Sequence, residues 1–397
     1  MHAVGVPAGF RGWVEAGAGR IGSAGPVVIG GAPYAGRPSG RCGHAVGPWV
    51  GHGTGHPGGH AVGGRCSPGP IRRALAIEPG WAVGGGRFLV VGAFVLDCLV
   101  STPRLPGWGQ DVRAEAMWTV PGGKALNQAV TLGRLGVRVA AVGAVGADVV
   151  GAAVRAALVG EGVDVSAMAA VPDAPTPVCV VHVRDDGEKA VVWRVPEALA
   201  VTPDQVHAAA AGGPVDAALV TFEFAERAAD LITAAAKVAL WVVVNPAPAP
   251  VDPAVVETVP WELVDILVPN EAEARALLAG RAAAHGPAGR LAEAVSETFG
   301  VPTVCVTHGE RGCVLRTGGA TTTHPAAAAR VIDTTAASDA FTAVLAARLV
   351  VGRDPATAVR QAQAAAALTV SRAGAYEALP TVGELRELVF GLPDPSV

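Results

Sequence analysis

From Arg87 onward, short runs of β-branched residues alternate with Ala- and Leu-rich stretches of helical period. RFLVVGAFVLD, residues 87–97, reads as one buried strand, and KALNQAVTLGRLG, residues 124–136, as a helix. VRVAAVGAVG (137–146) reads as a strand and DVVGAAVRAALVGEG (148–162) as a helix. The segments DAALV, ALWVVVN, VDILVPN and TVCVTHG repeat the strand pattern, and ERAADLITAAAKV and EAEARALLAG the helical one. Such alternation predicts an α/β fold with a mostly parallel sheet covered by helices on both faces.

Two segments depart from this rhythm. Residues 101–121 and 174–195 are polar and alternate like strands, the second with a DDGE turn between VCVVHVR and KAVVWRV. They predict a small antiparallel sheet outside the main one, suited to a lid, an oligomer contact or a plain surface hairpin.

Composition divides the chain. Residues 1–86 hold 25 of the 52 glycines and seven arginines against two glutamates, with no Asp or Lys, which is not a core-forming mixture. This stretch reads as a disordered Gly-rich leader or an over-extended translation start, residues 87–390 as the folded domain, and 391–397 as a tail. Within the leader, GAGRIG (17–22) has the G-x-G-x-x-G spacing without a preceding strand, and His52, His56 and His60 stand on flexible glycines that preorganise no metal site.

The leader carries a net charge of +5, which leaves −9 on the remainder and argues against a nucleic-acid binder. No apolar run reaches membrane-spanning length. Cys42, Cys66, Cys98, Cys179, Cys305 and Cys313 have neither disulfide-framework nor zinc-site spacing. A protein of the cytoplasm with reduced thiols is expected.

Candidate chemistry concentrates in short polar motifs at strand and helix ends. In PGGKALNQA, paired glycines permit close approach of a ligand while Lys124 and Asn127 offer hydrogen bonds suited to hydroxyls. Asp97 ends the first strand, where open α/β sheets bind ligands. VPNEAEA sets Asn270 and Glu273 at a helix start, either as a capping pair or as a site for water-held magnesium. VTHGERG, residues 306–312, forms a Gly-containing loop after a strand, and no P-loop motif occurs anywhere. DTTAASDAF places Asp339 at the opening of a helix, where a carboxylate is ordinarily a cap.

GGKALNQA, NPAPA (245–249), VPNEAE, THGERG, DTTAASDAF and the closing AAAALTVSRAGA, in this order, resemble the ribokinase-like carbohydrate kinases of the PfkB family, with a lean toward ribokinase. The resemblance spans about Arg87 to Leu388. It implies ATP-dependent phosphorylation of a sugar hydroxyl, with Asp339 as general base and an anion hole at Ala336, Ala337 and Ser338. Asp97, Gly123, Lys124, Asn127 and Glu223 match sugar-binding positions, and Asn270, Thr307, Gly309 and Gly312 nucleotide-binding ones. Glu273 matches a magnesium position reached through water, and Asp333 begins a potassium-site segment. The resemblance also implies that two chains could pair through the lid. The family usually has Gly where Ala336 and Ser338 stand, Gly-Ala where Ala125-Leu126 stand, and a GAQPS-type run in place of GAYEALP. The readings carried forward are a ribose kinase, a weakened relative that senses a sugar or nucleoside, and a kinase of fructose, deoxyribose or a nucleoside.

Overall fold

The computed structural model describes residues 86–184 and 189–390. The leader, apart from Gly86, the DDGE turn and the 391–397 tail lie outside the described residues, as do GAGRIG and the histidine cluster.

Thirteen strands are described, in chain order β1 (Arg87–Val91), β2 (Val95–Ser101), β3 (Ala116–Gly122), β4 (Arg138–Gly146), β5 (Met168–Val171), β6 (Val178–Val183), β7 (Lys189–Val192), β8 (Val215–Thr221), β9 (Ala239–Asn245), β10 (Ile266–Leu267), β11 (Thr303–Thr307), β12 (Cys313–Thr317) and β13 (Ala320–His324). The α-helices are α1 (Lys124–Arg134), α2 (Val149–Gly160), α3 (Pro203–Ala210), α4 (Ala228–Val238), α5 (Pro253–Thr258), α6 (Glu271–Leu277), α7 (Leu291–Phe299), α8 (Ala337–Val350), α9 (Pro355–Val370) and α10 (Val382–Phe390).

Nine strands form the main sheet in the order β13-β12-β11-β10-β9-β8-β1-β4-β5. Pairing is parallel except at one edge, where β11, β12 and β13 run antiparallel. Strands such as β1, buried at every residue, need cover on both sides. They receive it from two apolar layers. Helices α1, α2, α8, α9 and α10 pack on one face, and α3 to α7 on the other. No described helix is long and apolar enough to cross a membrane.

The remaining four strands make the small sheet, in the order β3-β2-β6-β7. Its outer pairs are antiparallel and its central pair, β2 with β6, is parallel. Leu99, Val120 and Val181 give it a core of its own, flanked by Trp118, Cys179 and Val183. This small sheet is the one expected from the sequence, at the place proposed for a lid, with two corrections. RFLVVGAFVLD is not one strand: the chain leaves the main sheet at Gly92 and enters the small sheet as β2, so Asp97 lies within the lid. Every residue from Phe88 to Val95 is buried, so no polar break marks the change of sheet. Gly92 permits it, since a Cβ there would stand 1.9 Å from Thr221 Oγ1. The second correction concerns residues 102–115, which are mostly irregular loop and carry Trp108 fully exposed, away from the cavity described below.

Candidate active site

A cavity of about 420 Å³ lies between the lid and the main sheet. Asp97, Gly123, Lys124, Asn127, Glu223, Asn270, Glu273, Ala336, Ser338 and Asp339, scattered over more than 240 positions of sequence, all line it. The helix starts of α1 and α8 meet there, presenting the positive ends of their dipoles.

The paired glycines before α1 follow from crowding. A Cβ on Gly122 would fall 2.0 Å from Asp97 Oδ2, and Gly123, at φ 97°, has the Ala93 carbonyl 2.9 Å from where a Cβ would be. Only glycines let β2 pass this close, and that approach sets Asp97 beside Lys124. Asn127, one turn into α1, donates from Nδ2 to Asp339 Oδ2 at 2.9 Å.

The segment before α8 is fixed by Asp333. Its Oδ1 accepts from Thr335 N at 2.8 Å and Oγ1 at 2.6 Å, and its Oδ2 from Gly374 N at 3.0 Å. The chain then turns through Ala336 at φ 61°, left-handed backbone that suits the glycine of the family pattern. Ala340 is the first residue to bond back, to the Ala336 carbonyl, so the N–H groups of Ala337, Ser338 and Asp339 have no backbone acceptor among the described residues. An anion at this helix start would meet them. Asp339 does not cap the helix; Ala336 occupies the cap position with no side-chain bond.

Asn270 and Glu273 form the capping pair, each side chain accepting from the other's backbone N–H at 2.8 Å. They also line the cavity, so capping and ligand contact are compatible. Thr307, Gly309 and Gly312 do not line it. Their loop adjoins it, because Thr307 N donates to Pro269 O at 3.0 Å and Glu271 holds both His308 and Arg311. Gly312, at φ 88°, would bring a Cβ to 2.0 Å from the His324 carbonyl.

Burial and mutual repulsion perturb the carboxylates. Burial, then the Asp339 charge, raises Asp97 to about 6, and burial raises Glu223 to about 7. Glu273 also rises through burial. Burial would lower the Lys124 ammonium, but Asp339, Glu273, Glu223 and Asp97 surround it and hold it above the usual lysine range. Both Glu223 oxygens, Asp339 Oδ1 and Asn127 Oδ1 are buried without a hydrogen-bond partner in the described residues. A buried acceptor left unpaired costs about 1–3 kcal/mol. Hydroxyl groups of a ligand would satisfy all of them.

The residues missed from sequence are on the lid. Cys179 stands opposite Asp97 in the β2–β6 register, beside its carboxylate, and burial raises the thiol to about 12. Lys189, Val191 and Trp193 line the cavity with it. Period-two spacing relative to Asp97 was the available signal, but it needs the strand pairing.

No group of three or more His, Cys, Asp or Glu side chains suited to a metal occurs among the described residues. Glu273 alone fits magnesium held mainly by water and phosphate oxygens, because that ion needs few protein ligands.

The pfkB family carbohydrate kinase profile matches residues 87–382. Ribokinase of Bacillus subtilis is 31% identical over 302 residues, covering 76% of this chain and 98% of the relative. Ribokinase of Haemophilus influenzae is 29% identical over 302 residues, 76% of this chain and 97% of that one. The structure of Arabidopsis thaliana ribokinase complexed with ribose and ATP superposes with a TM-score of 0.64 at 26% identity, covering 77% of this chain and 99% of that one. The chain therefore belongs to the pfkB family of carbohydrate kinases and is a phosphotransferase of the sugar-kinase type.

Proposed function

We propose that this kinase transfers the γ-phosphoryl group of ATP to a hydroxyl of ribose, giving ribose 5-phosphate. The observation that carries the reading is the cluster of buried, unpartnered acceptors, Asp339 Oδ1, Asn127 Oδ1 and both Glu223 oxygens, in one cavity with Asp97 and Lys124. A polyol supplies the donors they lack. The ribokinases among the relatives, and the ribose and ATP in the Arabidopsis structure, support ribose as the sugar.

Asp97 and Glu223 accept from sugar hydroxyls, and Lys124 donates. Asp339, oriented by Asn127, takes the proton of the attacking hydroxyl as its oxygen bonds the γ-phosphorus and ADP departs. The N–H groups of Ala337, Ser338 and Asp339 stabilise the charge on the transferring group. Magnesium at Glu273 would neutralise phosphate charge. Thr307 to Gly312 border the adenosine side. Asp333 closes three hydrogen bonds within the protein, so its segment is already clasped to Gly374, and we give a potassium ion there no step.

The lid excludes water that would compete with the sugar. Its outer face leaves Met117 and Val192 exposed, which supports pairing of two chains through it and is tested by sedimentation velocity. ATP use and the free thiols of the described cysteines fit a cytoplasmic enzyme.

The second reading, a sugar- or nucleoside-binding sensor, rests on Ser338, whose side chain lines the cavity directly before Asp339. ADP-release assays with ribose, fructose, deoxyribose and nucleosides decide. The kinase reading expects ribose to give the highest kcat/KM. Tight binding without turnover of any of them would establish the sensor instead.

A further inference from the structure

Lys189 opens β7, the edge strand of the lid. The β6–β7 register sets it opposite Val183 and puts Val191 opposite Val181. It therefore shares the lid face of Cys179 and Asp97 and lines the cavity with Val191 and Trp193. No hydrogen bond or ion pair engages it among the described residues. A solvated edge lysine that discourages strand pairing is the ordinary use of such a residue. Its position on the cavity face, facing charged groups of the site, is not explained by that use.

Those groups define what it addresses. The residue is exposed at the mouth of the cavity, and partial desolvation there pulls its ammonium below the usual lysine range; Asp333 is the carboxylate that counters this most, followed by Asp339 and Asp97, while Lys124 adds repulsion. The turn from Thr334 to Ala336, with its open helix start, lines the same cavity. Lys124 from α1, Lys189 from the lid and Arg194 just after it thus bring like charge to a cavity that holds the anion-binding turn. A multiply charged anion between them removes the repulsion.

We propose that Lys189 is a catalytic residue of the phosphoryl transfer: its ammonium, carried by the lid, contacts the γ-phosphate oxygens and stabilises their charge as the group passes to the sugar. The proposal rests on the kinase reading above. The sugar O–H gives its proton to Asp339, the oxygen–phosphorus bond forms, and the bond from phosphorus to the β,γ-bridging oxygen breaks with its electrons remaining on ADP. Lys189 keeps its protons throughout.

Calorimetry on Lys189→Met with magnesium and ribose present separates the γ-phosphate from the rest of the nucleotide. Affinity for the non-hydrolysable AMP-PCP should fall roughly 10-fold while ADP stays within about twofold, since a single solvent-facing charge contact is removed. Turnover should fall about 10- to 100-fold at nearly unchanged KM for ribose, and Lys189→Arg should recover most of it. Equal weakening of AMP-PCP and ADP, no weakening of either, or a loss confined to the ribose KM would overturn the assignment. Absence of turnover by the unmodified protein with every sugar would instead defeat the kinase reading. An active wild type with an indifferent Lys189→Met variant rejects the lysine alone.

Discussion

Replacing Asp97 by Asn should make the protein more stable and a poorer enzyme. Burial, with the Asp339 charge next, lifts this carboxylate from 3.8 to about 6. A carboxylate raised on folding leaves the native state at full stability only below the unfolded value, and stability is lost as pH rises through the folded one. The shift corresponds to about 3 kcal/mol at neutral pH. The Cys179 thiol and the Gly123 N–H beside it favour the ionised form, an effect partly lost in the amide, which reduces the expected gain to about 1–3 kcal/mol. Thermal unfolding reads this as a rise of roughly 2–5 °C at pH 7.5, shrinking toward zero near pH 4. Sugar KM should rise on the order of 100-fold, because a charge-assisted acceptor contributes about 1.5–3 kcal/mol. A variant that melts below the wild type at pH 7.5, or a difference independent of pH, would refute the reasoning.

Further expectations concern the turn, the leader and the lid. Ala336→Gly relieves left-handed backbone at φ 61° and should add about 1 kcal/mol to stability in thermal or denaturant unfolding; no change would mean that the turn relaxes around alanine without cost. A chain beginning at Gly84 should stay soluble and keep its kcat and KM, since the matched family region starts at residue 87 and every proposed site residue follows it; loss of either would assign the leader a structural part. Hydrogen exchange in 101–121 and 174–195 should slow when ribose is added, and unchanged exchange would remove lid closure from the mechanism.

What the sequence disclosed and what it hid divide along physical lines. Residues whose type and immediate neighbours carry the signal, such as Gly123-Lys124 before Asn127 or Asp339 opening α8, were legible and converge in the cavity. The Asn270–Glu273 pair was ambiguous because one geometry serves both readings: its capping bonds form, and its side chains still border the cavity. Asp97 was recognised but misplaced, because a chain buried on both sides of Gly92 shows no alternation to report a change of sheet. Lys189 stood out as one of only three lysines but could not be placed, and Cys179 and Trp193 were missed, since their common face depends on β2 pairing with β6 and β6 with β7, a register that one sequence does not encode locally.

The account turns on Asp339 accepting the sugar proton while the rest of the site binds. Asp339→Asn keeps the shape of the side chain and leaves Asn127 within reach, so the most direct measurement compares ribose affinity, by calorimetry, with single-turnover phosphoryl transfer in the variant and the wild type. Ribose binding should stay within about threefold and the transfer rate should fall on the order of 10² to 10⁴. A transfer rate near that of the wild type would contradict the account.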